Sequence, residues 1–183
     1  MAKNREFNIL YIIISLFVAL GLFLGSYNLY QKYLVEQPLV KKISNIEEVK
    51  SVAINKKDKT YFIEVSLNQV KNIQKTYNNI DAAVREIIKK DNYEIKVKDH
   101  RNPQLEQLFQ ELQPSIYQGL AQMQYQWLDY HIIERSQEEG ISANLFVDEK
   151  RLYIQLEKGK SYLYCIIDYE GGEEQKTGRG GVI

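Results

Sequence analysis

Residues 49–98 read VKSVAINKKDKTYFIEVSLNQVKNIQKTYNNIDAAVREIIKKDNYEIKVK, and this stretch decides the fold. Its first seven residues have the composition of a strand, and NKKDK around Lys57 and Asp58 reads as a turn. Over 59–67, Tyr61, Ile63, Val65 and Leu67 alternate with Phe62, Glu64 and Ser66, which predicts the second arm of a hairpin. Asn72 is a helix-capping residue type, and after it Ile73, Tyr77, Ile80, Val84, Ile87 and Ile88 recur at helical spacing. One apolar stripe with a polar back suits a helix lying on a sheet. Tyr93, Ile95 and Val97 then alternate with Glu94, Lys96 and Lys98, as in a strand buried on one face and wet on the other.

Toward the C-terminus, a long helix is expected over 103–139, started by Asn102 and Pro103 and stopped by Gly140. Pro114 should kink it or split it at Gln113. Three strands follow, at 141–147, 152–157 and 161–169, joined by the turns DEKR and KGK. The order is β-β-α-β-long α-β-β-β, an α+β domain over 49–170 whose helices cover a largely antiparallel sheet. Residues 171–183, GGEEQKTGRGGVI, hold five glycines and almost nothing to bury, so a disordered tail is expected there.

Toward the N-terminus, 31–48 form a connector interrupted by Pro38, with Leu39, Val40, Ile43 and Ile46 at the spacing of a turn or two of helix. Before it, no charge occurs between Phe7 and Gln31. Of the 17 residues from Ile9 to Gly25, 12 are Ile, Leu, Phe or Val, enough to favour insertion into a bilayer by about 4–7 kcal/mol. A helix over 9–30 would be about 33 Å long, sufficient to span. Tyr11, Tyr27 and Tyr30 suit the two interfaces. The sequence lacks a good A-x-A-like cleavage site, so the expectation is an uncleaved signal anchor behind a leader at 1–8. The chain then reads as a single-pass cell-membrane protein with its domain on the extracytoplasmic side.

Composition excludes several classes. The chain has 183 residues, with 24 basic and 24 acidic ones, and a balanced charge argues against nucleic acid as a partner. One cysteine and two histidines give neither a disulfide framework nor a cysteine-rich zinc site, so no metal or cofactor is expected. Motifs for phosphate cradles, serine nucleophiles and zinc proteases are absent from the sequence. Asp99–His100–Arg101 follows a strand end, where catalytic groups can sit, and His131 could join them only if the fold brought it there. On a helix, Asp129 and His131 are two apart and do not face each other. Cys165 alternates with Leu163 and Ile167, the position of a buried structural thiol.

The long helix carries two apolar stripes. With Ile116 at 0°, Leu120, Met123, Trp127 and Tyr130 fall within about 40° of it, and Tyr117, Ala121, Tyr125, Leu128 and Ile132 cluster near 140°. The apolar arc is roughly 220° wide, where about 100° suffices for a helix packed on one core. No charge occurs between Glu111 and Asp129. Aromatic-rich, charge-poor surfaces are typical of interface cores, so Tyr117, Tyr125, Leu128 and Ile132 are the candidate partner-binding residues. The sequence thus predicts a non-enzymatic, membrane-anchored interaction or assembly module of a cell envelope, binding a protein partner or itself. The alternatives are a ligand-sensing domain with an aromatic-lined pocket and, further off, a hydrolase using Asp99 and His100.

Overall fold

The structure is a computed structural model that describes residues 11–22, 32–89 and 92–169. Residues 11–22 form helix α1. A π-type turn, Lys32–Glu36, runs directly into α2, Gln37–Ser44, so Pro38 opens a helix instead of interrupting one. The hairpin consists of β1, Val49–Lys57, and β2, Thr60–Leu67, with Asp58 in the left-handed region at φ 55. Then come α3, Ile73–Ile87, and β3, Asn92–Lys98. Helices α4, Pro103–Ala121, and α5, Tyr125–Glu138, precede β4, Ser142–Val147, β5, Arg151–Lys158, and β6, Ser161–Asp168.

Both long helices start where their capping residues stand. Asn72 Oδ1 accepts from the Lys75 amide at 2.8 Å, and Asn102 Oδ1 from the Leu105 amide at 2.9 Å. Each bond satisfies one of the orphan donors of a first helical turn. Pro114 does not break its helix. It lies inside α4, flanked by Leu112 and Ile116, each 1% exposed. Packing of those neighbours holds the helical course, and the break expected at Gln113 falls instead at 122–124, where Met123 takes φ 53.

The expectation of a largely antiparallel sheet also needs correction. The fold is α+β, but its sheets are mixed. One has the order β1-β2-β3, with β1 and β2 antiparallel and β2 and β3 parallel. The other, β4-β5-β6, is antiparallel throughout. A parallel neighbour needs a crossover long enough to return the chain to the same end, and α3 supplies it. The sheets meet at one backbone bridge, where the Tyr162 amide donates to the His100 carbonyl at 2.9 Å.

Two cores result, divided by the second sheet. The first gathers Leu39 and Ile43 of α2, Tyr61, Ile63, Val65 and Leu67 of β2, the inner face of α3, and Tyr153 and Tyr164 from β5 and β6. The second packs α4 and α5 onto the opposite face, through Leu152, Ile154, Leu156 and Leu163. Both apolar faces of the C-terminal hairpin are therefore covered from within the chain.

The α4–α5 corner is tight. A Cβ on Gly119 would lie 3.0 Å from Leu128 Cβ and Cδ2. Gly119→Ala should therefore lower stability by about 1 kcal/mol net, because overpacking of about 1–3 kcal/mol outweighs the roughly 1 kcal/mol that alanine gains in a helix. A fall in the urea midpoint at unchanged m checks this; a rise would mean that α5 yields freely.

The expected transmembrane helix over 9–30 is overturned. Among the described residues no helix is long and apolar enough to cross a membrane. Of the span expected over 9–30, the structure describes residues 11–22. The signal anchor, the single-pass placement in a cell membrane, the extracytoplasmic domain and the membrane as a partner fall with that helix. Residues 1–10, 23–31 and 170–183, including the expected leader and tail, lie outside the described residues.

Candidate functional site

Of the four residues singled out on the long helix, three pack in or against the second core and one is exposed. Leu128 and Ile132 are 0% exposed, inside the second core. Tyr125 packs against that core, its ring 6.0 Å from the ring of Tyr169. Tyr117 alone is largely exposed. The second stripe thus meets the chain's own sheet, which explains its width without a partner. The rings left outside are those of Tyr117, Trp127 and Tyr130, together with Met123. Nothing in the structure supports a protein partner or a homo-oligomer, and the membrane-anchored assembly module is not sustained.

The Asp99–His100–Arg101 segment is a clasp between the sheets. Arg101 donates to the Asp99 carboxylate through Nε and Nη2, each at 2.8 Å, and the Tyr164 amide donates to the same carboxylate at 2.8 Å. The Asp99 side chain is only 4% exposed. Hydrogen bonding to that buried carboxylate pushes the Arg101 guanidinium further up its range. The carboxylate is occupied and serves no imidazole. His100 is exposed, with its ring 6.0 Å from that of Tyr162, while His131 stacks on Trp127 at 5.4 Å. The hydrolase reading therefore loses its paired groups. Burial pushes the Cys165 thiol up to about 12, so it stays protonated at neutral pH. Among the described residues there is no group of three or more His, Cys, Asp or Glu side chains that could hold a metal ion.

A cleft lies elsewhere, where the turn between β2 and α3 passes over β4 and β5. Its volume is about 400 Å³, and Gln69, Val70, Lys71, Asn144, Gln155 and Glu157 line it. It is a polar depression broadly open to solvent, not an enclosed cavity. The lining is polar and contains no ring, so this cleft is not the aromatic-lined pocket that the sequence suggests.

Four side-chain bonds fix the turn's backbone. Gln155, 2% exposed, accepts from the Ile73 amide at 3.0 Å and donates to the Val70 carbonyl at 2.8 Å. The Tyr164 hydroxyl accepts from the Val70 amide at 2.8 Å, and the Tyr162 hydroxyl donates to the Leu67 carbonyl at 2.8 Å. Burial raises the Tyr164 phenol above its ordinary range, so it remains a neutral hydroxyl. Gln155 and Gln69 also donate to the two Glu157 oxygens, at 2.7 and 2.8 Å. Lys71 and Asn144, both exposed, have no side-chain partner among the described residues.

Gln155 escapes a search for motifs because it belongs to no recognised sequence motif. The available signal is its parity: it shares a strand face with Tyr153 and Glu157, opposite Leu152, Ile154 and Leu156. An amide on the inward side of such a strand must be bonded to something.

No family model matches the sequence, and a search of curated proteins returns no match.

Proposed function

We propose that this chain is a non-catalytic binding domain for a small polar ligand, taken up in the cleft between the 69–71 turn and strands β4 and β5. The observation that carries this reading is the pre-set wall: a buried glutamine and two tyrosine hydroxyls hold the turn's backbone. Fixing a wall before the ligand arrives reduces the ordering cost of binding. The same wall presents an ammonium, a carboxylate and carboxamides to solvent.

The test is a titration of the full chain with a library of small polar fragments, followed by amide chemical shifts. Shifts should concentrate at Val70, Lys71 and Asn144. Asn144→Trp, an exposed strand position, should abolish them by filling the cleft while the fold persists. If no fragment moves these signals, or if fragments bind Asn144→Trp equally well, the cleft is not a binding site.

A further inference from the structure

We infer that the ligand class of this cleft is the α-amino acid zwitterion; the inference rests on the binding role proposed above and specifies it. The lining carries one cation, Lys71, and one anion, Glu157, so its charge sums to zero. A dianion such as phosphate would meet the carboxylate, and a simple amine would meet the ammonium, each at a cost in repulsion. A compact molecule bearing both charges meets neither. Its carboxylate is received by the Lys71 ammonium and the Asn144 carboxamide, two exposed lining side chains that carry hydrogen-bond donors. Lys71 also stands two residues before the first residue of the 15-residue helix α3, so the positive end of the helix dipole adds to its field.

The ligand's ammonium is received by Glu157. Each oxygen of that carboxylate holds one carboxamide donor, from Gln155 or Gln69, and a carboxylate has about four acceptor positions. The glutamines aim Glu157 without exhausting it. Gln155 is itself anchored to the backbone at Val70 and Ile73, so the anion is held at a fixed distance from the turn that carries Lys71.

The experiment is calorimetric titration of the full chain with four probes: L-norvaline, pentanoate, which lacks its amino group, butylamine, which lacks its carboxylate, and glycerol. Norvaline should bind at least about tenfold more tightly than pentanoate or butylamine, the order expected for losing one charge-assisted contact. Lys71→Met should weaken norvaline and pentanoate and leave butylamine unchanged. Glu157→Gln, which keeps an acceptor for the flanking glutamines, should weaken norvaline and butylamine alone. If pentanoate, butylamine or glycerol binds as tightly as norvaline, the zwitterion assignment is wrong and the binding role stands. If none of the four binds while the fragment library still maps to Val70 and Asn144, the outcome is the same. If neither set of compounds binds, both readings fall.

Discussion

Leu128→Asp should abolish the folded domain. Leu128 is 0% exposed, and its side chain fills the corner against Gly119 where α4 turns into α5. Removing a buried leucine side chain costs about 2–5 kcal/mol through lost transfer energy and the cavity left behind. A carboxylate in its place must then be desolvated or protonated, which adds several kcal/mol more. Domains have only about 5–15 kcal/mol to lose. Loss of the cooperative thermal transition by circular dichroism would register this. Tyr117→Asp, one of the same four residues but 49% exposed, should stay within about 0.5 kcal/mol of the parent. A Leu128→Asp chain that melts like the parent would mean that the stripe faces solvent and that α5 is misplaced.

The second large effect belongs to Asp81, on the inner side of α3. Its Oδ1 accepts from the Tyr93 hydroxyl at 2.6 Å, and its Oδ2 from Arg85 at 2.8 Å and Arg151 at 3.2 Å. One carboxylate thus joins α3, β3 and β5. Arg151 is 11% exposed; it also pairs with Asp168 at 2.6 Å and lies 4.9 Å from the centre of the Tyr77 ring. Asp81→Ala would leave Arg151 with one anion where it had two, and would leave the half-buried Tyr93 hydroxyl without its acceptor. Breaking a buried pair from one side costs about 3–5 kcal/mol. For a domain of this size that is a fall in Tm of roughly 10–20 °C. Arg85→Met removes a side chain that is 48% exposed and solvated, so it should cost under about 1 kcal/mol. Equal, small losses in the two variants would show that Asp81 does not tie the layers together.

Local grammar made much of the fold legible. Asn72 and Asn102 cap the helices that begin after them, and the alternation of Tyr61, Ile63, Val65 and Leu67 is the buried face of β2. What local grammar could not supply was pairing. The pattern of β3 is the same whether it lies parallel or antiparallel to β2, and only the crossover through α3 decides. The wide apolar arc comes from drawing one wheel through the break at 122–124: Ile116 of α4 and Leu128 and Ile132 of α5 enter the same core, while Met123, Trp127 and Tyr130 stay exposed. Leu128 and Ile132 turned out to face the second core, beneath strands that follow them in sequence. The apolar run before Tyr27 predicts a spanning helix, but among the described residues no helix is long and apolar enough to cross a membrane. The cleft was illegible for a different reason. Its groups come from the turn at 69–71, from β4 and from β5, and none has a motif that announces the others.

The bonds that set the cleft's wall also impose an order on its making. Tyr164 lies 94 residues beyond Val70, and Gln155 lies 82 beyond Ile73. A ribosome releases these residues in sequence, so a nascent chain that ends before β6 contains the whole turn, with its carboxamides and its lysine, and lacks the hydroxyl that restrains it. Such distant closures are slow, because the loop entropy is lost before the contact forms. The braced cleft is thus among the last parts of the molecule to mature, and a shortened product of synthesis lacks it even where its first hairpin and helix have formed.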